Sequence, residues 1–97
     1  MEVFIQETTN ETKTVDLSSL NSRENRNGNM YFIVAGVMGG ATVTLTIASD
    51  ASTRFAPITN GAITETGVMV ENVPEECLLR VAISGATGTT DIDFSVR

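Results

Sequence analysis

Asp91 and Asp93 flank Ile92, so on an extended chain both carboxylates leave the same face. Joined by Glu71 or Asp50 they would offer the hard oxygen ligands that Ca²⁺ takes. Ca²⁺ needs six or more oxygens, however, so the expected outcome is a solvated acidic face. Glu65 and Glu71 have the residue types of a glycosidase acid and base, but no aromatic sugar platform accompanies them. Gly36-Val37-Met38-Gly39-Gly40 has the glycines of a phosphate loop without its Lys or Ser/Thr, and strand-like rather than helical sequence follows it. A hairpin turn is the expectation there. Cys77 is the only thiol, and the flanking Glu75 and Glu76 carry the wrong charge to favour a thiolate nucleophile, so it reads as a small core or edge residue.

With no histidine in the chain, Ser-His and Cys-His pairs and the usual zinc ligand sets cannot be assembled. An internal disulfide is equally impossible with one cysteine. The chemistry-bearing residues therefore point to a protein that is not an enzyme and that uses no cofactor or metal. Twelve acids against six bases give a net charge of −6, with no basic patch to override it, so neither nucleic acid nor an anionic membrane is an expected partner. Met1-Glu2-Val3-Phe4-Ile5 has no basic segment leading into an apolar one, so no secretion signal is expected. The weakly polar run from Met30 to Ala41 is too short to span a bilayer. A lone cysteine fits a reducing compartment.

The elements that must position these residues follow from the patterning. The 97 residues are one domain's worth, 41% hydrophobic, and surface scaling gives a folded surface of about 5,400 Å². Residues 1–28 are rich in polar turn formers, interrupted by two short alternations. Val3 and Ile5 alternate with Glu2, Phe4 and Gln6, and Val15 and Leu17 alternate with Thr14 and Asp16. This segment reads as an N-terminal arm with short edge strands, and residues 29–97 as the core of a sandwich. Ser18-Ser19-Leu20-Asn21 has room for one helical turn, and no longer helical stripe exists.

From Asn29 onward alternation dominates. Tyr31, Ile33, Ala35 and Val37 point one way and Met30, Phe32 and Val34 the other, so this strand is apolar on both faces. Val43, Leu45 and Ile47 alternate with threonines, which predicts a half-buried strand with a wet outer face. Pro57 suits an edge, and Asn60-Gly61 signals a turn. A strand is expected over 63–70 with a bulge at Gly67, then a turn over 72–76. Cys77, Leu79, Val81 and Ile83 form one inward row, and Ile92, Phe94 and Val96 another. Seven or eight short strands and fourteen threonines argue for an all-β fold, a single small antiparallel β-sandwich or barrel-like domain with an extended polar N-terminal segment.

The succession Phe32-Ile33-Val34-Ala35-Gly36, Gly40-Ala41-Thr42-Val43-Thr44-Leu45, Ser49-Asp50, Phe55-Ala56-Pro57-Ile58 and Leu79-Arg80-Val81-Ala82-Ile83-Ser84-Gly85-Ala86-Thr87-Gly88 resembles small β-sandwich structural proteins of tailed bacteriophages. The resemblance covers about residues 30–97 and consists of strand-and-turn grammar. Where such proteins often carry Gly and Trp after the Ser-x-Asp, this chain has Ser52 and Phe55. The resemblance implies a virion role without chemistry. The leading expectation is a capsid decoration (cement) protein on the capsid surface, made in the host cytoplasm and bound to the major capsid protein or other virion proteins. A neck, tail or fibre component is the alternative, as is a carbohydrate-binding or adhesin module on the same fold. Sugar binding is disfavoured because there is no Trp and the pattern buries Tyr31.

A small sandwich without disulfide or metal gains buried area by symmetric association, so a homo-oligomer is expected, with three-fold closure favoured as in decoration proteins. Candidate contacts are the doubly apolar strand at Met30, Phe32 and Val34, Leu78 beside Arg80, and the arm residues Val3, Phe4, Ile5, Val15 and Leu17. The arm residues either pair with a neighbouring subunit or complete the chain's own sheet.

Overall fold

Period-2 alternation becomes strand wherever turn formers bound it. The computed structural model describes residues 1–19, 29–49, 54–73 and 76–97. Its strands are β1 (Glu2–Glu7), β2 (Glu11–Asp16), β3 (Asn29–Val37), β4 (Thr42–Ser49), β5 (Ala56–Ile63), β6 (Gly67–Asn72), β7 (Cys77–Ser84) and β8 (Asp91–Val96). The only helical element among the described residues is a 3₁₀ turn at Leu17–Ser19. It begins one residue before the expected turn, whose Leu20 and Asn21 lie outside the described residues. The Asp16 carboxylate caps it, accepting the Ser18 hydroxyl at 2.7 Å and the Ser18 N–H at 3.0 Å. Those bonds, the hydroxyl's first, hold the Asp16 carboxyl below its ordinary range.

The strands form two antiparallel sheets. The first has the order β1-β8-β3-β6 and the second β2-β7-β4-β5. β1 pairs with β8, β2 with β7, β3 with β6 and β4 with β5. The chain therefore behaves as one long hairpin, bent between β4 and β5 and wound around a common core. The pairings of β3 with β8 and β4 with β7 complete the sheets. This is the winding of a jelly roll, and its consequence is that only β4 and β5 are consecutive strands within one sheet.

Three local expectations change for that reason. Gly36–Gly40 is not a hairpin turn but a corner between sheets, where the Ala41 N–H donates to the Met38 carbonyl at 3.0 Å. Asn60-Gly61 lies inside β5, with Asn60 at φ +61°, where the pairing with β4 slips between Thr44 and Thr46. A Cβ on Gly61 would sit 2.7 Å from the Ile58 carbonyl oxygen and 2.8 Å from that of Leu45, so this bulge requires glycine. The stretch expected as a single strand over 63–70 is divided: Ile63 ends β5 in the second sheet and Gly67 opens β6 in the first.

A single core cluster lies between the sheets, built from Met30, Phe32 and Val34 of β3, Ile92, Phe94 and Val96 of β8, and the inward rows of β4 and β7. β1 contributes Val3 and Phe4, which are adjacent and both buried. Simple alternation forbids that. The β1–β8 register shifts between Glu2 and Phe4 and again between Phe4 and Glu7, so bulges turn both side chains inward and leave Ile5 outside. The expected phase, with Val3 and Ile5 together, is corrected accordingly. Residues 1–19 are edge elements of the chain's own sheets: β1 lies against β8, β2 lies against β7, and Leu17 is fully buried. The total accessible surface, 5457 Å², matches the value expected for a compact chain of this size.

The corner after β3 interlocks with the loop before β8. Thr90, which is polar yet buried, donates to the Met38 carbonyl at 2.9 Å and accepts the Thr87 N–H at 2.9 Å, while the Thr87 hydroxyl donates to the Gly39 carbonyl at 2.6 Å. Gly36, at φ +97°, lies so close to Asp91 that a Cβ would overlap its carbonyl oxygen. Gly36→Ala is expected to cost more than about 1 kcal/mol, measured as a lower denaturation midpoint, because both φ and contact exclude a side chain. An unchanged midpoint would show that this corner relaxes freely.

Candidate interaction face

The outer faces of the two sheets differ in kind. On the second sheet Thr42, Thr44 and Thr46 stand beside Ser84, Ala82 and Arg80 in register, all half-buried except the exposed Ser84. The Arg80 guanidinium lies 3.8 Å from the centre of the Phe55 ring, so its charge is stacked on an aromatic face. On the first sheet, the outward residues of β3 are Tyr31, Ile33, Ala35 and Val37. Tyr31 is opposite Val70 and Ile33 is opposite Val68. Among the described residues the exposed large hydrophobics, Ile5, Tyr31, Val37, Val68 and Val70, all belong to this sheet, with Ile5 and Val68 about two-thirds exposed.

The face is not uniformly apolar. Across β3 from the valines, Asp91, Asp93 and Ser95 of β8 oppose Val37, Ala35 and Ile33. A groove of about 210 Å³ runs over β8, lined by Ile5, Ile33, Ala35, Asp93 and Ser95, with Glu2 and Arg97 also lining it. Glu2 and Arg97 form an exposed ion pair at 3.4 Å. A second cavity of about 270 Å³ lies where β5 passes to β6, between Phe32, Val34, Met69 and Ile63, with Thr64, Glu65 and Thr66 along its border. Both are smaller than the roughly 300–1,000 Å³ of pockets that take drug-sized ligands.

Of the candidate contact residues, Val3, Phe4, Leu17, Met30, Phe32 and Val34 are buried in the chain's own core. The expectation that they meet another subunit is corrected. On a strand apolar on both sides, either row satisfies the pattern, and the packing turns Met30, Phe32 and Val34 inward. Tyr31, expected to be buried, is 39% exposed for the same reason. Val15 is half-buried against the core, and Leu78 is half-buried on the outer face of the second sheet, opposite Ala48 and Asp16. Ile5 is open to solvent. Sequence reasoning missed Val37, Val68 and Val70; Val68-Met69-Val70 is apolar throughout, so no alternation marks which of its rows stays exposed.

The residues weighed for chemistry are dispersed. Asp91 and Asp93 are exposed, and the Asp93 Oδ1 accepts the Gln6 N–H at 2.6 Å, a role within the β1–β8 bulge. Glu71 is half-buried opposite inward-facing Met30, Glu65 is exposed between β5 and β6, and Asp50 lies outside the described residues. Among the described residues no three acidic, thiol or imidazole groups come close enough to hold a metal ion. Cys77 is buried. No family model, curated protein or solved structure matches the chain.

Proposed function

We propose that this chain is a non-enzymatic structural protein of a tailed-bacteriophage virion, a capsid decoration (cement) protein that stabilises the head by binding the major capsid protein. The observation that carries the reading is that, among the described residues, the exposed large hydrophobics gather on one sheet, opposite a threonine-covered sheet. The resemblance of residues 30–97 to phage sandwich proteins supports it, as does a winding used by viral capsid domains, which is an analogy of fold rather than of site. The acidic surface, net −6, suits a protein partner better than nucleic acid or an anionic membrane. One aromatic on the face, Tyr31, bordered by Val70, gives a protein contact more than a sugar platform.

The test is the composition of purified particles assembled from the genome that encodes the chain. Copies on the order of hundreds per particle are expected, as a surface lattice requires, whereas a ring-like count of about six to twelve would move the protein to neck or tail. Its absence from particles overturns the reading. Ile5→Asp, on the apolar sheet, is expected to lower attachment to particles at least about tenfold, equivalent to 1.4 kcal/mol, while Thr44→Asp on the other sheet leaves it unchanged. Equal effects from both substitutions would sink the assignment of this face.

A further inference from the structure

A bulge interrupts pairing and re-aims side chains, and the two register shifts in β1 do both on the outer face of the first sheet. They leave Ile5 outside and hold Gln6 at φ +51°, a conformation uncommon for a residue with a side chain. From there the Gln6 N–H donates to the Asp93 Oδ1 at 2.6 Å. Because β8 lies between β1 and β3, Ile5 becomes one wall of the 210 Å³ groove over β8, and Ile33 and Ala35 become the other. Asp93 and Ser95 stand between the walls.

Three charged residues line this groove, Glu2, Asp93 and Arg97. Two of them satisfy each other, since the Arg97 guanidinium lies 3.4 Å from the Glu2 carboxylate. Arg97 is four residues along from Asp93, roughly 14 Å at about 3.4 Å per residue, and so does not reach it. Asp93 is left without a cationic partner among the described residues. The Gln6 N–H is the one donor on its carboxylate there, and it occupies Oδ1, so Oδ2 is open to the groove.

A carboxylate set among aliphatic side chains restricts what can cover it. A purely apolar occupant would strip its water and return no hydrogen bond, which is costly. An anion would meet Glu2 and Asp93 with the one cation already engaged. A metal ion would find one free carboxylate where several oxygens are needed, and among the described residues no acidic cluster supplies more. The group that fits both the walls and the charge is an alkyl chain ending in a cation, which lays its methylenes on apolar surface and holds its head at a polar one.

We propose that this groove is a socket for a lysine side chain of a protein partner, its methylenes against Ile5, Ile33 and Ala35 and its ammonium bonded to the Asp93 Oδ2. Lysine is preferred to arginine because the Gln6 N–H already holds one oxygen, and a compact ammonium needs one acceptor where a guanidinium fork favours two. Room is sufficient. A cavity of about 150 Å³ takes a benzene ring, so 210 Å³ accommodates a lysine side chain beyond its Cα. Asp91, next but one along β8 and also exposed, adds negative potential that draws a cation toward this row. The proposal rests on the reading of this sheet as the contact face, but not on the partner being a capsid protein.

The test titrates the full chain with n-butylammonium at fixed ionic strength, following the backbone amides by nuclear magnetic resonance, with n-butanol as the uncharged comparator. Saturable shifts are expected at Ile5, Gln6, Asp93 and Ser95, with a dissociation constant on the order of 10 mM, as suits so small a probe. Asp93→Asn keeps an oxygen for the Gln6 N–H while removing the charge. It is expected to weaken n-butylammonium at least about fivefold with amide shifts outside the groove unchanged, whereas Asp91→Asn, outside the groove, stays within about twofold. On particles, Asp93→Asn should lower attachment at least about tenfold, and acetylating the particle's lysines should weaken the parent by a similar factor but not Asp93→Asn. Absence of saturable shifts in the groove overturns the socket, as do n-butanol binding equally well and equal losses from Asp91→Asn and Asp93→Asn. If Ile5→Asp weakens attachment and Asp93→Asn does not, the socket falls and the contact face stands. If the chain is missing from particles yet binds n-butylammonium through Asp93, the capsid reading falls and the socket is supported.

Discussion

Phe94→Ala should lower the unfolding free energy by about 3–5 kcal/mol, the range for a fully buried aromatic whose neighbours cannot close the space. Phe94 has no exposed surface, and its strand lies between β1 and β3. It pairs with Phe4 on one side and Val34 on the other, and its ring stacks on Phe32 with centroids 6.2 Å apart and planes at 20°. One truncation therefore loosens three strands of the first sheet. A domain of this size has about 5–15 kcal/mol in total, so the loss is at least about a fifth of it. In a denaturant titration the midpoint should fall sharply, while Val37→Ala, on the exposed face, stays within about 0.5 kcal/mol of the parent. A loss below about 1.5 kcal/mol for Phe94→Ala would show that the core is not organised around this stack.

Deleting residues 1–7 should abolish the cooperative unfolding transition at ambient temperature. The deletion removes Val3 and Phe4 from the core, each contributing about 1.5–3 kcal/mol by burial alone. It also removes the β1–β8 ladder and the bonds of Met1 to Val96, in which the Met1 ammonium donates at 2.7 Å and its carbonyl accepts at 2.9 Å. What remains exposes the flank of Phe94 and makes β8 a new edge. The measurement is thermal and denaturant unfolding followed by circular dichroism, with dye binding to report exposed apolar surface. A truncated chain that melts like the parent would show that β1 contributes nothing to the fold, and would return the segment to the role of an arm for a neighbouring subunit.

The strands with one apolar face were legible from the sequence. Val43 and Leu45, Leu79, Val81 and Ile83, and Ile92, Phe94 and Val96 all point inward as their alternation requires, because each apolar row faces a polar or small one. β3 defeats that reasoning, since both of its rows are apolar. The choice between burying Phe32 and burying Tyr31 depends on what packs opposite, and the pairing with β6 and β8 makes it. β1 defeats it differently, because a bulge breaks the period on which the inference rests, and nothing in Val3-Phe4-Ile5 announces a bulge. Asn60-Gly61 is a strong local turn signal that long-range pairing with β4 converts into a bulge within a strand.

The sequence alone determined the class of structure and which side chains are at hand for a site. Period-2 patterning, threonine-rich strands and the absence of any helical stripe are local properties, and a chain without histidine and with one thiol lacks whole families of sites whatever its fold. Only the tertiary structure decided the winding, the sheet to which each strand belongs, and which face of β3 stays wet. Those outcomes depend on partners far apart in the chain, Met1 with Val96 and Tyr31 with Arg97 among them. Backbone hydrogen bonding is the same for every residue with a free N–H, so no side-chain pattern marks in advance which two strands will share it.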